Sequence, residues 1–221
     1  MFRLIALGGL LVALVLPVAA AGTFAEKLAD LQKQLEAQPT NVALLLKLGD
    51  LCHDEGVNDN SRAVVLAEKY LREALKLESN NAPALVLLGS TYTMKGRDAF
   101  WPPTKISLVK EGNRIMDRAA ALAPDNFQVR LTRGLNNVHM PRFLDREEIA
   151  RADLAWLWER IGANPDIAPL ATTQEVALWF GVALKKAKQA NQAKAVWEKG
   201  FSLDAKSSFA TEIRKHLDKE K

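Results

Sequence analysis

Few side chains in this sequence could perform chemistry, and they lie far apart. The histidines are His53, His139 and His216, and the single cysteine is Cys52. A zinc site usually draws three or four His, Cys or carboxylate ligands at short recurring spacings, whereas here the only such residues that adjoin a histidine are Cys52 and Asp54, on either side of His53. The sequence also contains no glycine-rich phosphate loop, nucleophile elbow or HExxH segment. We therefore predict a protein that is not an enzyme and that holds neither a metal nor a cofactor.

Two further groups could suggest a reaction centre or a ligand site. The acidic segment from Asp145 to Glu148 could supply an acid and a base, but it precedes a predicted helix at Ile149, where carboxylates favour the positive end of the helix dipole. Tryptophans could stack on a ligand or pack between helices, and packing is the favoured interpretation. The four in question are Trp156, Trp158, Trp179 and Trp197.

Residues 1–21 have the features of a secretory signal peptide. A short positive start is followed by an apolar run from Leu4 to Leu16 and by small residues from Ala19 to Ala21, as in cleavable signals. The run ends at Pro17 and lacks the length and charged flank of a membrane-spanning segment. We expect cleavage near Ala21, a periplasmic or secreted location and no stable membrane insertion of the mature chain.

Composition favours a helical protein with one substantial core. The full chain of 221 residues is 48% hydrophobic and has a formal net charge of +4, which is too small an excess to indicate nucleic-acid binding without clustering on one face. About 200 residues can bury a core without metals or disulfides. Cys52 is therefore interpreted as a small core residue, and residues 22–221 as a single domain.

A repeat organises this domain. Gly49, Gly89, Gly134 and Gly181 each lie inside a leucine-rich helical pattern and recur at intervals of 40, 45 and 47 residues. Each is followed by a second pattern in which small and large apolar residues alternate at helical spacing. Small residues at these positions permit paired helices to approach closely. The intervals exceed the ~34 residues of a simple repeated helical hairpin, so insertions are expected.

These residues resemble the tetratricopeptide repeat family. The second unit carries the resemblance best in residue type, with Gly112 in place of the first alanine and with matches at Leu88, Gly89, Tyr92, Met116, Ala119 and Pro124. The fourth unit needs no insertion, whereas the third fits only loosely. The resemblance implies an all-α, right-handed α-solenoid of about four hairpins. The repeats would span about 40–80, 81–125, 126–165 and 172–206.

Capping helices are expected at both ends of the solenoid, because a bare repeat end would expose apolar surface. The segment Thr23 to Glu36 is amphipathic, and a last helix is predicted over about 207–219. Inside the solenoid, helix starts are predicted near potential capping residues. These are Thr40, Asn126 and either Thr172 or Thr173.

Two segments depart from the repeat pattern and leave alternatives open. The motif spacing between Tyr92 and Gly112 is stretched by an insertion that includes Phe100-Trp101-Pro102-Pro103; consecutive prolines cannot continue a helix, which predicts a loop. We favour packing of its aromatic rings on neighbouring helices over a partner-binding knob. Asn136 and Asn137 have low helix propensity, so their presence in a helix needs another reason. They either form hydrogen bonds with the backbone of the Trp101 loop or bind a polar ligand.

The resemblance implies that the first helix of each hairpin lines a concave groove for peptides or helices of other proteins. The implied groove residues are Lys47, Asp50, His53, Ser90, Thr93, Gln128, Leu131, Leu135, His139, Val182 and Lys185. Trp101, Arg133 and Asn137 are further candidates. The leading hypothesis is an adaptor for a protein partner in an envelope, secretion or transport assembly. The alternative is a periplasmic solute-binding protein associated with a membrane transporter.

Overall fold

A computed structural model describes residues 22–220, so the predicted signal peptide lies outside the described residues. This part of the chain is all-helical and contains no strand. Its α-helices are α1 (Phe24–Ala37), α2 (Val42–Val57), α3 (Ser61–Leu77), α4 (Ala82–Asp98), α5 (Pro102–Leu122), α6 (Phe127–Val138), α7 (Glu147–Ala163), α8 (Leu170–Lys186), α9 (Ala190–Leu203) and α10 (Ser208–Leu217). Short 3-10 turns lie at Arg142–Leu144, Pro165–Ile167 and Asp218–Glu220.

The helices form four hairpins in chain order, as predicted. Within the hairpins α2 packs on α3, α4 on α5, α6 on α7 and α8 on α9. Successive hairpins meet through α3 and α4, α5 and α6, and α7 and α8, while the first helices also contact one another from α2 through α4 and α6 to α8. This arrangement is an α-solenoid, and the four helices that carry the repeat glycines lie side by side in sequence order.

The repeat glycines lie where two helices approach most closely. A methyl group on Gly89 of α4 would lie 2.6 Å from the carbonyl oxygen of Gly112 on α5. In the fourth hairpin the indole of Trp197 lies against Gly181 and donates a hydrogen bond to the carbonyl oxygen of Leu178 at 3.0 Å. Trp197 is fully buried, so the interpretation of this tryptophan as a packing residue is confirmed.

Two apolar clusters build the core, one in each half of the solenoid. The first joins α1 to the start of α6, with Leu45, Leu71 and Met116 fully or almost fully buried. The second runs from the end of α6 to α10 and is centred on Leu157 and Trp197. Helix α6 therefore lies at the boundary between the two clusters. Polar side chains, among them Arg133, Asn137 and Asp153, occupy this boundary.

The predicted capping helices are present at both ends. The side chain of Thr23 accepts a hydrogen bond from the backbone of Glu26, whose own carboxylate accepts from the Thr23 backbone, forming a capping box at the start of α1. The apolar face of α1 packs on the first cluster. At the other end Ser207 caps α10, and Ile213 of that helix is fully buried.

Helix starts inside the solenoid were predicted with mixed success. Asn126 caps α6 as expected, accepting a hydrogen bond from the Val129 backbone at 3.0 Å. The prediction of Thr40 is wrong by one residue, because the side chain of Asn41 caps α2. Thr172 and Thr173 are also wrong, because α8 already begins at Leu170 and both residues lie inside it.

The insertion in the second repeat is mostly helical, which corrects the prediction of a long loop. Helix α4 continues to Asp98 and α5 begins at Pro102, where proline is tolerated because the first helical N–H has no partner in the helix. Phe100 and Trp101 are 96% and 63% exposed, so the favoured interpretation that both rings pack on neighbouring helices is wrong. Within residues 22–220 none of the helices combines the length and apolar character needed to cross a bilayer.

Candidate partner-binding groove

The first helices of the first three hairpins are joined by a ladder of polar side chains. His53 Nε2 of α2 shares a hydrogen bond with Ser90 Oγ of α4 at 2.8 Å. The Asn136 side-chain amide on α6 donates to Ser90 Oγ at 3.1 Å and to Thr93 Oγ1 at 2.8 Å. We call the surface that α2, α4, α6 and α8 present on this side the groove face. The ladder fixes the lateral spacing of three of its helices.

The orientation of the Asn136 amide follows from its neighbours. Thr93 Oγ1 donates its hydrogen to the Ser90 carbonyl oxygen at 2.7 Å and therefore accepts from Asn136, which places the NH₂ group on that side. The amide oxygen of Asn136 is buried and meets no hydrogen-bond donor within the described part of the chain. The predicted alternative in which Asn136 bonds the backbone of the Trp101 loop is wrong.

The implied groove residues fall into an exposed group and a buried group. His53 and Thr93 are only 8% and 7% exposed and take part in the polar ladder, so they support the groove face from beneath. Five other candidates are exposed. These are Lys47, Asp50, Gln128, His139 and Lys185.

Apolar and aromatic side chains line the part of the groove face that α6 and α8 contribute. The rings of His139 and Trp179 meet edge to face with their centroids 4.1 Å apart. Leu131, Leu135, Trp179 and Val182 are partly buried against the second core cluster. His139 reaches solvent, yet the protein around its ring removes enough water to lower its pKa, and the charge of Lys186 adds to this effect.

Two carboxylates, one in the first hairpin and one in the last, have raised pKa values. Asp50 reaches solvent, but loss of water around its carboxylate raises its pKa, and the charge of Asp54 raises it further. Burial also raises the pKa of Glu175 on α8, and Asp54 of α2 again contributes. Asp54 and Glu175 are not among the residues that the repeat motif implies for the groove. The effect of Asp54 on the pKa of Glu175 acts between the first and the fourth hairpin, and neighbouring motif residues give no signal of it.

The other two candidates on α6, Arg133 and Asn137, belong to a buried ion-pair network instead of an open surface. Asp153 of α7 is completely buried, and its carboxylate accepts hydrogen bonds from Arg133 at 2.7 and 2.9 Å and from Arg130 at 2.8 Å. Arg146 reaches both the side-chain oxygen of Asn137 at 3.1 Å and the carboxylate of Asp117 on α5. This network bridges α5, α6 and α7 at the boundary between the two apolar clusters.

Trp101 lies in the turn between α4 and α5 as the residue before α5 begins. It does not line either of two surface cavities, and neither do Asn136 and Asn137. The larger cavity, of about 530 Å³, lies between the end of α7 and the start of α8, and the smaller, of about 240 Å³, lies beside the start of α7. A solute-binding protein with a pocket closed by these residues is therefore not favoured.

The acidic segment at the start of α7 also has a structural position. Glu147 and Glu148 occupy the first turn of the helix, as expected from the helix dipole. Glu148 pairs with Arg151 one turn later at 2.6 Å. Across residues 22–220 no group of three or more His, Cys, Asp or Glu side chains is placed to hold a metal ion.

Comparison with known proteins supports the fold. No protein-family model matches the chain, and no curated protein matches it. Among solved structures, TTC0263, a thermophilic TPR protein of Thermus thermophilus, aligns with a TM-score of 0.65 at 15% identity over 89% of both chains. MamA aligns with a TM-score of 0.52 at 20% identity over 83% of this chain and 90% of its own. The described part of the chain is thus a solenoid of the tetratricopeptide repeat fold.

Proposed function

We propose that this protein is a non-catalytic scaffold that holds a segment of a partner protein on the groove face. The observation that carries the proposal is the continuous face formed by four first helices, on which exposed charged side chains border partly buried aromatic and aliphatic ones. A surface of mixed character suits an extended peptide or a partner's helix. The tetratricopeptide repeat fold supports the same role, since its stacked hairpins produce extended concave surfaces.

We place this activity in the periplasm or outside the cell, in an envelope, secretion or transport assembly. The support for this location is the sequence pattern of residues 1–21, in which a positive start, an apolar run and small residues follow one another. The partner would then be a protein of the cell envelope.

The proposal is tested by replacing Asp50 and His139 together with alanine. Both side chains are exposed on the groove face and belong to different hairpins, so the double variant removes contacts at two separated points without opening the core. We expect capture of the envelope partner by the tagged protein to fall by about 10-fold, the equivalent of about 1.4 kcal/mol. The measurement is quantitative pull-down from envelope extracts against the unmodified protein.

A matched control replaces Glu36 and Asp125 with alanine. Both carboxylates are exposed, on α1 and in the turn before α6, and neither forms a hydrogen bond or ion pair with any residue in 22–220. This control should leave capture unchanged. Undiminished capture of every envelope partner by the Asp50 and His139 double variant would reject the groove face as the binding surface.

A further inference from the structure

We infer that the larger of the two cavities binds a small amphiphile, a molecule with an apolar chain and a terminal carboxylate. This cavity of about 530 Å³ lies between α7, α8 and α9, and none of the implied groove residues lines it. The site is thus separate from the groove face on which the proposed function depends. Three features support it: the connection that forms the cavity, the apolar lining, and polar groups that have no partner in the fold.

The connection between α7 and α8 departs from the repeat. The connections that lead into α2, α4 and α6 each have four residues and end in an asparagine whose side chain caps the helix. The connection into α8 has six residues, 164–169. The Asn164 carbonyl oxygen accepts a hydrogen bond from the Ile167 backbone at 3.1 Å, and the other three connections contain the same bond. Ile167 therefore takes the place of the capping asparagine, and Ala168 and Pro169 are added beside the cavity.

The cavity lining is mostly apolar and partly open to water. Ile161 of α7 and Ala168 of the connection are buried, whereas three large aliphatic side chains around the cavity are exposed. These are Ile167 at 40%, Leu170 at 49% and Leu203 at 41%. The apolar chain of a ligand would remove this surface from water, at about 25 cal/mol for each Å² covered. The cavity volume also falls within the range of small-molecule sites, roughly 300–1,000 Å³.

Two polar side chains in the cavity can donate to a carboxylate. Thr173 of α8 is only 7% exposed, yet its hydroxyl forms no hydrogen bond with any residue in 22–220. Lys199 of α9 places its ammonium 5.2 Å from the ring centroid of Trp158 and has no ion-pair partner in the described chain. A buried hydroxyl and an ammonium that lacks a counterion both gain from a ligand that accepts hydrogen bonds.

The start of α8 adds further donors. Pro169 precedes the helix and supplies no side-chain cap, unlike the asparagines that precede α2, α4 and α6. Pro169 and Leu170 both line the cavity. The first N–H groups of a helix have no partner within the helix, and together with the helix dipole they attract an anion. The carboxylate of a ligand can therefore take the place of the missing cap.

One carboxylate of the protein also lines the cavity. Asp166 is exposed and forms no ion pair across the described residues. Its charge offsets that of Lys199, so net charge alone does not select an anion. The selection comes from the first turn of α8, whose N–H groups can only donate, because a carboxylate accepts from them and an ammonium cannot.

The experiment is isothermal titration of the mature protein with octanoate, octanol and octylamine, which share one chain and differ in the head group. The variant Thr173→Val/Lys199→Gln tests the polar groups of the cavity. Both replacements approximately keep the size of the side chain, and neither removes a hydrogen bond or ion pair made by these side chains within 22–220, so the fold should be retained. The control Thr104→Val/Lys110→Gln makes the same changes at exposed positions of α5, which does not line the cavity.

We expect octanoate to bind with a dissociation constant of about 100 μM, at least about 10-fold more tightly than octanol or octylamine. The cavity variant should weaken octanoate binding by about 10-fold, and the control should leave it unchanged. Octylamine that binds as tightly as octanoate would overturn the inference. An equal loss of affinity in both variants, or no octanoate binding at millimolar concentration, would overturn it as well.

Discussion

Replacement of Gly89 by alanine should lower the free energy of unfolding by about 3 kcal/mol, the upper end of the usual cost of overpacking. The added methyl group would lie 2.6 Å from both the Gly112 carbonyl oxygen and Met116 Cγ, and 3.0 Å from the Met116 backbone nitrogen. Two of these three atoms are backbone atoms of α5, so a change of rotamer cannot relieve the clash. Helices α4 and α5 must separate, and urea unfolding followed by circular dichroism measures the cost.

Gly162 provides the matched control. It lies in α7, and a methyl group added there would have no neighbour within 4 Å. Alanine at this position should therefore stabilise the protein by about 0.5–1 kcal/mol, because it reduces the entropy of the unfolded chain and favours helix. Equal stability of the two alanine variants would show that α4 and α5 do not approach each other at Gly89 as described.

Replacement of Asp153 by asparagine is expected to be even more destabilising, by about 3–5 kcal/mol. The carboxylate is completely buried and receives three hydrogen bonds from Arg130 and Arg133, whose side chains are only 20% and 14% exposed. An amide of the same shape cannot neutralise two partly buried guanidinium groups. Arg133 would keep only its ion pair with Asp117 at 3.2 Å, and Arg130 would lose the carboxylate that accepts from it. Thermal and urea unfolding of the variant measure the loss.

The control for this prediction lies on the same helix. Glu148 pairs with Arg151, but its side chain is 75% exposed, and exposed ion pairs contribute only about 0–1 kcal/mol. The change Glu148→Gln should accordingly have little effect on unfolding. If Asp153→Asn were equally mild, the network between α5, α6 and α7 would not hold the two halves of the solenoid together.

The architecture could be predicted from sequence because the repeat is local. Each glycine and the apolar residues around it lie within one hairpin, and the pattern that identifies them is also the one that packs them, as Gly181 and Trp197 illustrate. The terminal helices could be predicted for a similar reason. Thr23 and Ser207 each precede an amphipathic segment, and its apolar face can only pack on the end of the solenoid.

The predictions that failed concern contacts between distant parts of the chain. Phe100 and Trp101 were expected to pack on neighbouring helices, but the turn that carries them is short and both rings are exposed to solvent. Arg133 and Asn137 were candidates for a ligand site. Instead, Arg133 pairs with Asp153 of α7, and Asn137 accepts a hydrogen bond from Arg146 in the turn before α7. The third unit fits the repeat motif loosely. Its second helix, α7, contains the buried carboxylate of Asp153 among positions where the motif has packing residues.

The groove face was predictable only in outline. Motif spacing places α2, α4, α6 and α8 side by side, but it does not define how tightly the solenoid curves. The charge of Asp54 in the first hairpin contributes to the raised pKa of Glu175 in the fourth. A charge pattern produced in this way involves residues more than 100 positions apart and is not visible in any local window.

The most direct test of the central claim, that the groove face is the binding surface, is site-specific photocrosslinking in intact cells. A photoreactive amino acid is placed at Gln128, exposed on the groove face, and separately at Val65, which is 63% exposed on α3. We expect the probe at Gln128 to capture a discrete protein partner and the probe at Val65 to capture none. Capture of that partner from Val65 but not from Gln128 would contradict the claim.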